Sequence, residues 1–362
     1  MIPRSRVQMP TARRLSTAFL GAAIVGFPLL VSSVPSQAQS YRITDLGTLP
    51  GDLRSVATSV NDLGQAVGSS SNPTGAIAAL FSGGTATSLN TLDADVSVAT
   101  AINGSSQVVG YNIFYNTATT VFRAFLYSDG SMIDIHSPSL FPSGTIAYGI
   151  NSSQEVVGEG LLTDSAFHPF LRSGGQTIDL GTLGGIQASA YAINDSGEIA
   201  GSSVNAKGDQ HAFLYSNGKM ADLGVPSGAF ASGAKAINRS GQIAGEIYLN
   251  TGPSHAALYS NGAWTDLGAV PGAVSTQATA INAAGQVVGI AVFPVRSYHP
   301  FRPGKHVGFI VSGGSLIDLN TLVSSNSGFT ITDAVGINDS GQILCDATNA
   351  SGYEHAILLT PK

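Results

Sequence analysis

The sequence predicts an all-β fold: a seven-bladed β-propeller with four-stranded blades, its ring closed by an N-terminal strand that completes the last blade. Three observations predict it. An asparagine recurs seven times at nearly even spacing, and glycine follows six of the seven by seven residues. Each repeat holds two tight-turn signals between short runs of alternating apolar residues. A strand missing at the C-terminal end stands in surplus at the N-terminal end.

The asparagines are Asn61, Asn103, Asn151, Asn194, Asn238, Asn282 and Asn338, spaced by 42, 48, 43, 44, 44 and 56 residues. The glycines are Gly68, Gly110, Gly158, Gly201, Gly245 and Gly289, and Cys345 stands in the seventh copy. The fourth copy shows the elements in order. Tyr191 to Ile193 reads as a first strand, and Asn194-Asp195-Ser196-Gly197 as a turn whose Asn and Gly tolerate positive φ. Glu198 to Ser203 returns. His211 to Tyr215 is a third strand, Ser216-Asn217-Gly218 a second turn, and Lys219 to Leu223 a fourth strand. Four antiparallel strands in about 45 residues make the unit of a propeller blade. A stacked β-solenoid is the competing architecture, although its rungs are usually shorter.

The chain ends decide between the two. An acidic–apolar pair closes the fourth strand at Asp134-Ile135, Asp179-Leu180, Asp222-Leu223, Asp266-Leu267 and Asp318-Leu319, with Ser88-Leu89 in the first repeat. The seventh repeat ends at His355-Ala356-Ile357-Leu358 without a fourth strand, while Tyr41 to Leu49 carries an orphan Asp45-Leu46-Gly47. A ring accounts for this permutation, because the orphan strand then covers two otherwise exposed edges.

The strings HAFLY and DLGTLGG, with AINDSGEIAG between them, resemble the HAF-repeat proteins of bacteria, whose repeats are taken to be extracellular. The resemblance runs over the whole chain after its leader. Single copies decay: Ala78-Ala79-Leu80-Phe81 and Gly308-Phe309-Ile310 keep only the outline. The resemblance implies export and repetition. It implies no activity, so no catalytic residue is carried over from it.

The first 38 residues form a separate segment with the layout of a secretory signal: a basic stretch to residue 14, an uncharged apolar run from Leu15 to Val34, and Ser36-Gln37-Ala38 before the expected cleavage. A retained anchor is the alternative, since the run approaches the length of a bilayer span. Residues 39–362 are expected to form a single propeller domain, secreted or periplasmic. The 362 residues carry 16 basic and 22 acidic side chains, and four of the basic ones lie in the leader. The remainder has a formal charge of −10, which excludes nucleic acid as a partner because phosphate binding needs a basic footprint. One cysteine excludes an intrachain disulfide framework. No cofactor and no metal are expected, since no P-loop, nucleophile elbow or HExxH string occurs.

Repeated residues read as scaffold. The small inner strands, such as Ala99-Thr100-Ala101 and Ala278-Thr279-Ala280, fit a crowded axis. The repeated Asn is expected to bond its local backbone, and the repeated Asp to accept a buried hydrogen bond. Histidine opens the third strand at His168, His211, His255 and His355. Nine residues earlier stand Glu159, Ser202, Glu246 and Asp346. Three structural acid–His pairs across neighbouring strands are therefore expected: Glu159–His168, Glu246–His255 and Asp346–His355.

Candidate binding residues lie in two long insertions. The connections between strands two and three, and those between repeats, vary in length and share one face of the disc, where binding commonly resides. The insertion in repeat two offers Tyr111 and Tyr115. The one in repeat six offers Arg296, Tyr298, His299, Arg302 and Lys305, a positive cluster with aromatics that suits an anionic or carbohydrate ligand or a protein. The function read from these features is an exported, non-enzymatic binding or scaffold module for a glycan or an extracytoplasmic protein. The alternative is a polysaccharide-active lyase or hydrolase with acids near the propeller mouth; paired carboxylates at glycosidase separation are its requirement.

Overall fold

The computed structural model describes residues 39–115, 120–163, 166–294 and 304–362. The leader 1–38 and four of the loop candidates, Arg296, Tyr298, His299 and Arg302, lie outside the described residues.

Within the unit Ala38–Lys362, each repeat folds as an antiparallel four-stranded meander. In repeat four the strands are Gly184–Ile193, Ile199–Asn205, Gln210–Ser216 and Lys219–Asp222, hydrogen-bonded in that order. Turn chemistry dictates the reversals. Gly197 N donates to Asn194 O at 3.0 Å, with Gly197 at φ +75°. Asn217 and Gly218 both take positive φ, 53° and 77°, as a two-residue turn matched to strand twist requires. Five sheets have four strands, and repeats two and three merge into one of eight. The junction is a single parallel pairing of Gly144 with Phe122. Gly144 permits it: at φ +147° a Cβ there would stand 3.0 Å from Phe122 O.

The orphan strand Tyr41–Asp45 pairs antiparallel with the last strand, Glu354–Pro361, from Tyr41 opposite Pro361 to Asp45 opposite Ile357. It thereby becomes the fourth strand of the sheet built on Phe329–Ile337 and Ile343–Asn349. Tyr41 is buried there among Ile337, Ile343, Ile357 and Leu359.

The core is distributed between repeats. Strand three supplies a fully buried aromatic at Phe81, Phe125, Phe213 and Phe309, and small residues of adjacent inner strands such as Ala99 and Ala278 are equally buried. Interdigitating one large and one small side chain fills the wedge between adjoining sheets without voids.

The inner strand of each repeat combines a backbone irregularity with a hydrogen-bonding side chain. Every inner strand carries a β-bulge three residues before the repeated Asn, at Thr58, Thr100, Tyr148, Tyr191, Lys235, Thr279 and Val335. A bulge leaves one residue unpaired and re-aims its side chain. The repeated Asn then bonds its own turn, as its sequence predicts: Asn194 Oδ1 accepts from Ser196 N and Glu198 N, both at 3.0 Å. Its amide does more. Nδ2 of Asn61, Asn103, Asn151, Asn194, Asn238 and Asn282 each donates to the backbone oxygen of the Asn in the next repeat at 3.0–3.2 Å. Asn338 Nδ2 donates to Asn61 O at 3.0 Å.

Candidate functional site

Six of the seven bulged residues converge on one opening. Thr58, Thr100, Tyr148, Tyr191, Lys235 and Thr279 line a cavity of about 270 Å³. Three of the threonines use their hydroxyls as struts: Thr58 donates to Ala99 O at 2.9 Å, Thr100 to Ala147 O at 2.8 Å and Thr279 to Ala334 O at 2.6 Å. Repeats three to five depart from that pattern. The Tyr148 and Tyr191 rings meet at 5.4 Å with a 49° tilt, and Lys235 Nζ lies 4.6 Å from the Tyr191 ring centroid, within cation–π range.

Carboxylates back this sector. Glu159 accepts from the Tyr148 hydroxyl at 2.9 Å and from Ser189 Oγ of the next repeat at 2.5 Å. Glu246, 7% exposed, accepts from Gln277 Nε2 of the next repeat at 2.5 Å and from the Tyr248 hydroxyl. Asp346 accepts from Ala57 N of the first repeat at 2.8 Å. Each acid of the expected acid–His pairs thus reaches onto the inner strand of the following repeat. Burial, and then the neighbouring glutamates, push the Tyr148 and Tyr248 hydroxyls well above the usual phenol range. Tyr191 is raised by burial as well.

The expected pairs Glu159–His168, Glu246–His255 and Asp346–His355 are therefore corrected. Register is the reason. His168 lies opposite Gly160, His255 opposite Ile247 and His355 opposite Ala347, one residue beyond the acid in each case. Successive residues of a strand face opposite sides, so acid and histidine point apart. The histidines pair instead with the repeated aspartates of the fourth strand: His168 with Asp179 and His211 with Asp222 at 2.8 Å, His255 with Asp266 at 2.9 Å, and His355 with Asp45 at 3.0 Å. Those aspartates also accept from the backbone N–H two residues on: Gly224 N donates to Asp222 Oδ1 at 2.7 Å. They are one-third to nearly one-half exposed, where the sequence led us to expect burial.

Burial, ahead of the nearby Glu354 and Asp333 carboxylates, raises the Asp346 carboxyl well above its ordinary value of 3.8. The folded protein then keeps a proton that the unfolded chain releases, so stability falls as pH rises from the ordinary carboxylate range through the folded value. Asn at this position keeps an acceptor for Ala57 N and carries no charge. Asp346→Asn is expected to be the more stable protein at pH 7, by about 1.4 kcal/mol for each pKa unit of separation. The advantage vanishes below the ordinary value of 3.8, and urea denaturation on either side of it checks the expectation.

Of the loop candidates, Tyr111 is half-buried against Phe122, with ring centroids 6.1 Å apart, and burial raises its hydroxyl pKa. Tyr115 is 59% exposed at the end of its strand. Lys305 Nζ lies 6.0 Å from the Phe293 ring centroid. No hydrogen bond, ion pair or ring contact among the described residues joins the two insertions. Sequence reasoning missed the sector of Tyr148, Tyr191 and Lys235. The one signal for it is three bulky or charged side chains at a register that elsewhere holds Thr or Val. Among the described residues no group of three His, Cys, Asp or Glu side chains is placed to hold a metal ion, and no helix is long and apolar enough to cross a membrane.

The class these features define is the β-propeller, and solved structures agree. The chain is similar to the β-propeller domain of the trilobed protease from Pyrococcus furiosus, described by its open velcro topology, with TM-score 0.54 and 10% identity over 86% of this chain and 95% of that one. It is also similar to Pyrococcus horikoshii acylaminoacyl peptidase, with TM-score 0.50 and 10% identity over 87% of this chain and 52% of that one. TolB from Acinetobacter baumannii gives TM-score 0.46 and 12% identity over 82% of this chain and 63% of that one. The chain thus spans less than two-thirds of TolB and about half of the peptidase. No family model and no curated protein matches it. At such identities the likeness carries the fold alone.

Proposed function

We propose that this chain is an exported HAF-repeat propeller of seven blades, closed by the Tyr41–Asp45 strand. It acts as a non-enzymatic binding module that holds a glycan or an extracytoplasmic protein on its variable-loop face. Support for closure comes from the pairing of the first and last strands and from the bond of Asn338 to Asn61, which returns the asparagine ladder to its start. The leader supports export, to the periplasm or beyond it.

One observation carries the binding reading. Eight residues before the repeated Asn, where each inner strand starts on the variable-loop face, four repeats expose an apolar side chain: Leu53 46%, Ile186 76%, Phe230 56% and Val274 50%. Tyr115 and Tyr353 are exposed on the same face at 59% and 36%. Packing does not require an apolar residue at a solvent-facing register, and such patches mark interaction surfaces. The carboxylates that an enzyme would need are engaged: Glu159 holds Tyr148 and Ser189, and Glu246 holds Gln277. A hydrolase or lyase reading draws on both glutamates acting on the Tyr191 hydroxyl.

The test is binding of the purified chain to immobilised cell-envelope polysaccharides and extracytoplasmic proteins. The double variant Ile186→Glu, Phe230→Glu is expected to lose at least tenfold in affinity with an unchanged melting temperature. Ligand capture indifferent to that variant sinks the reading. So does polysaccharide turnover that disappears in Glu159→Gln.

A further inference from the structure

We infer that a cleft on the variable-loop face of repeat four is a subsite for one uncharged pyranose ring of a glycan. The inference rests on the binding reading above and narrows its ligand. The cleft measures about 260 Å³, and Phe167, Gln187, Ser189, Tyr191, Ser202 and Gln210 are among its lining residues. Sites that enclose drug-sized ligands run to roughly 300–1,000 Å³, so this one suits a single ring.

The chemistry of the lining selects the class. Phe167 and Tyr191 offer aromatic surface to the apolar C–H face of a sugar. Gln187, Ser202 and Gln210 carry neutral polar groups that take no side-chain partner among the described residues. An amide presents a donor beside an acceptor, and a hydroxyl is both. That set complements vicinal sugar hydroxyls, each of which also donates and accepts. No charged side chain lines the cleft. The carboxylate behind it, Glu159, is taken up by Ser189 Oγ and the Tyr148 hydroxyl. It orients Ser189 and repels an anionic sugar.

The fold does not require polar residues at these registers. At that of Ser189 three other repeats hold Val56, Val98 and Ile146 and three hold Gly233, Gln277 and Asp333; at that of Gln187 they hold Val96, Ala231 and Ile331 against Arg54, Gly144 and Ser275. Repeat four is thus polar at two registers where three of its six siblings fold with an apolar side chain. The neighbouring repeat leaves room: Gly233 has no side chain, and a Cβ there would stand 3.3 Å from Ser202 Oγ.

Isothermal titration of the purified chain tests this, with cello-, manno-, xylo- and chito-tetraose as neutral probes and tetragalacturonate as the charged one. A neutral tetraose is expected to bind. Gln187→Ala and Gln210→Ala are each expected to weaken it at least tenfold without lowering the melting temperature, and Ser202→Ala is expected to do so less. Three results overturn the subsite: no neutral tetraose binds, tetragalacturonate binds more tightly than all four, or the glutamine variants bind as wild type. If a protein ligand is then captured and the Ile186→Glu, Phe230→Glu variant loses it, the subsite falls and the binding module stands. If neither glycan nor protein is bound, both fall.

Discussion

Replacing Gly245 by alanine is expected to cost about 3 kcal/mol or more, at the upper end of overpacking penalties, and to cut the soluble yield sharply. The new Cβ would lie 1.9 Å from Gly233 O, 2.9 Å from the Gly233 carbonyl carbon and 3.0 Å from Ala234 Cα. All three are backbone atoms, so no side-chain rotation relieves the overlap. The same carbonyl approach recurs at Gly68, Gly110, Gly158, Gly201 and Gly289, at 1.9–2.1 Å. Each of these glycines lies opposite the alanine that precedes the inner-strand bulge, as Gly245 lies opposite Ala234. Gly104 is the control: its Cβ would meet nothing within 4 Å and its φ is not positive. Gly104→Ala is expected to be neutral or to stabilise by about 0.4–1 kcal/mol through the unfolded state. Chemical denaturation of both variants decides the matter; equal midpoints would sink the carbonyl explanation.

The seventh repeat shows how the rule is broken. Cys345 occupies the glycine register and is fully buried. Its inner strand has an additional register shift between Ile331 and Asp333, directly beside the backbone that faces this position. Burial pushes the Cys345 thiol well up, so it behaves as a small apolar filler and not as a nucleophile.

Loss of a ladder asparagine is the second large effect. Asn194 is 5% exposed and Asn338 4%. In Asn194→Ala, Ser196 N and Glu198 N lose their partner, and Asn238 O is left with Gly241 N alone. Each orphaned buried group costs about 1–3 kcal/mol, and a total of about 3 kcal/mol or more is expected by denaturant titration. Aspartate keeps the acceptor but turns the amide donor into a carboxylate. In Asn194→Asp that carboxylate faces Glu198 Oε2, which the amide now holds at 2.7 Å. In Asn238→Asp the facing group is the neutral Gln242 amide. Asn194→Asp should therefore be the more damaged of the two. Asn338→Ala removes the bond that spans 277 residues to Asn61. Hydrogen exchange of Tyr41–Asp45 is expected to quicken in that variant and to stay near wild type in Asn194→Ala. Equal exchange in both would show that the chain ends are not coupled through the ladder.

Local spacing made much of this molecule legible. Turn residues and the period-two alternation set the strands of each repeat, because both act within a few residues along the chain. Asp45-Leu46 could be matched to the last repeat because it copies a fourth-strand ending that five other repeats keep intact. The face that carries the variable loops follows from strand reversal alone.

The repeat, its turns and the destination of the orphan strand beside Glu354–Pro361 are thus written in the linear order of residues. Which groups meet is settled only when the sheets pack. A one-residue difference in register sends Glu159, Glu246 and Asp346 to the next repeat and leaves His168, His255 and His355 to the fourth-strand aspartates. The bulge that aims Tyr148, Tyr191 and Lys235 into one cavity leaves no mark in the spacing, since the inserted residue is present in every copy. Hydrogen bonds between repeats depend on the distance between whole sheets, and that distance is set by how buried aromatics such as Phe213 seat against the small side chains of their neighbours.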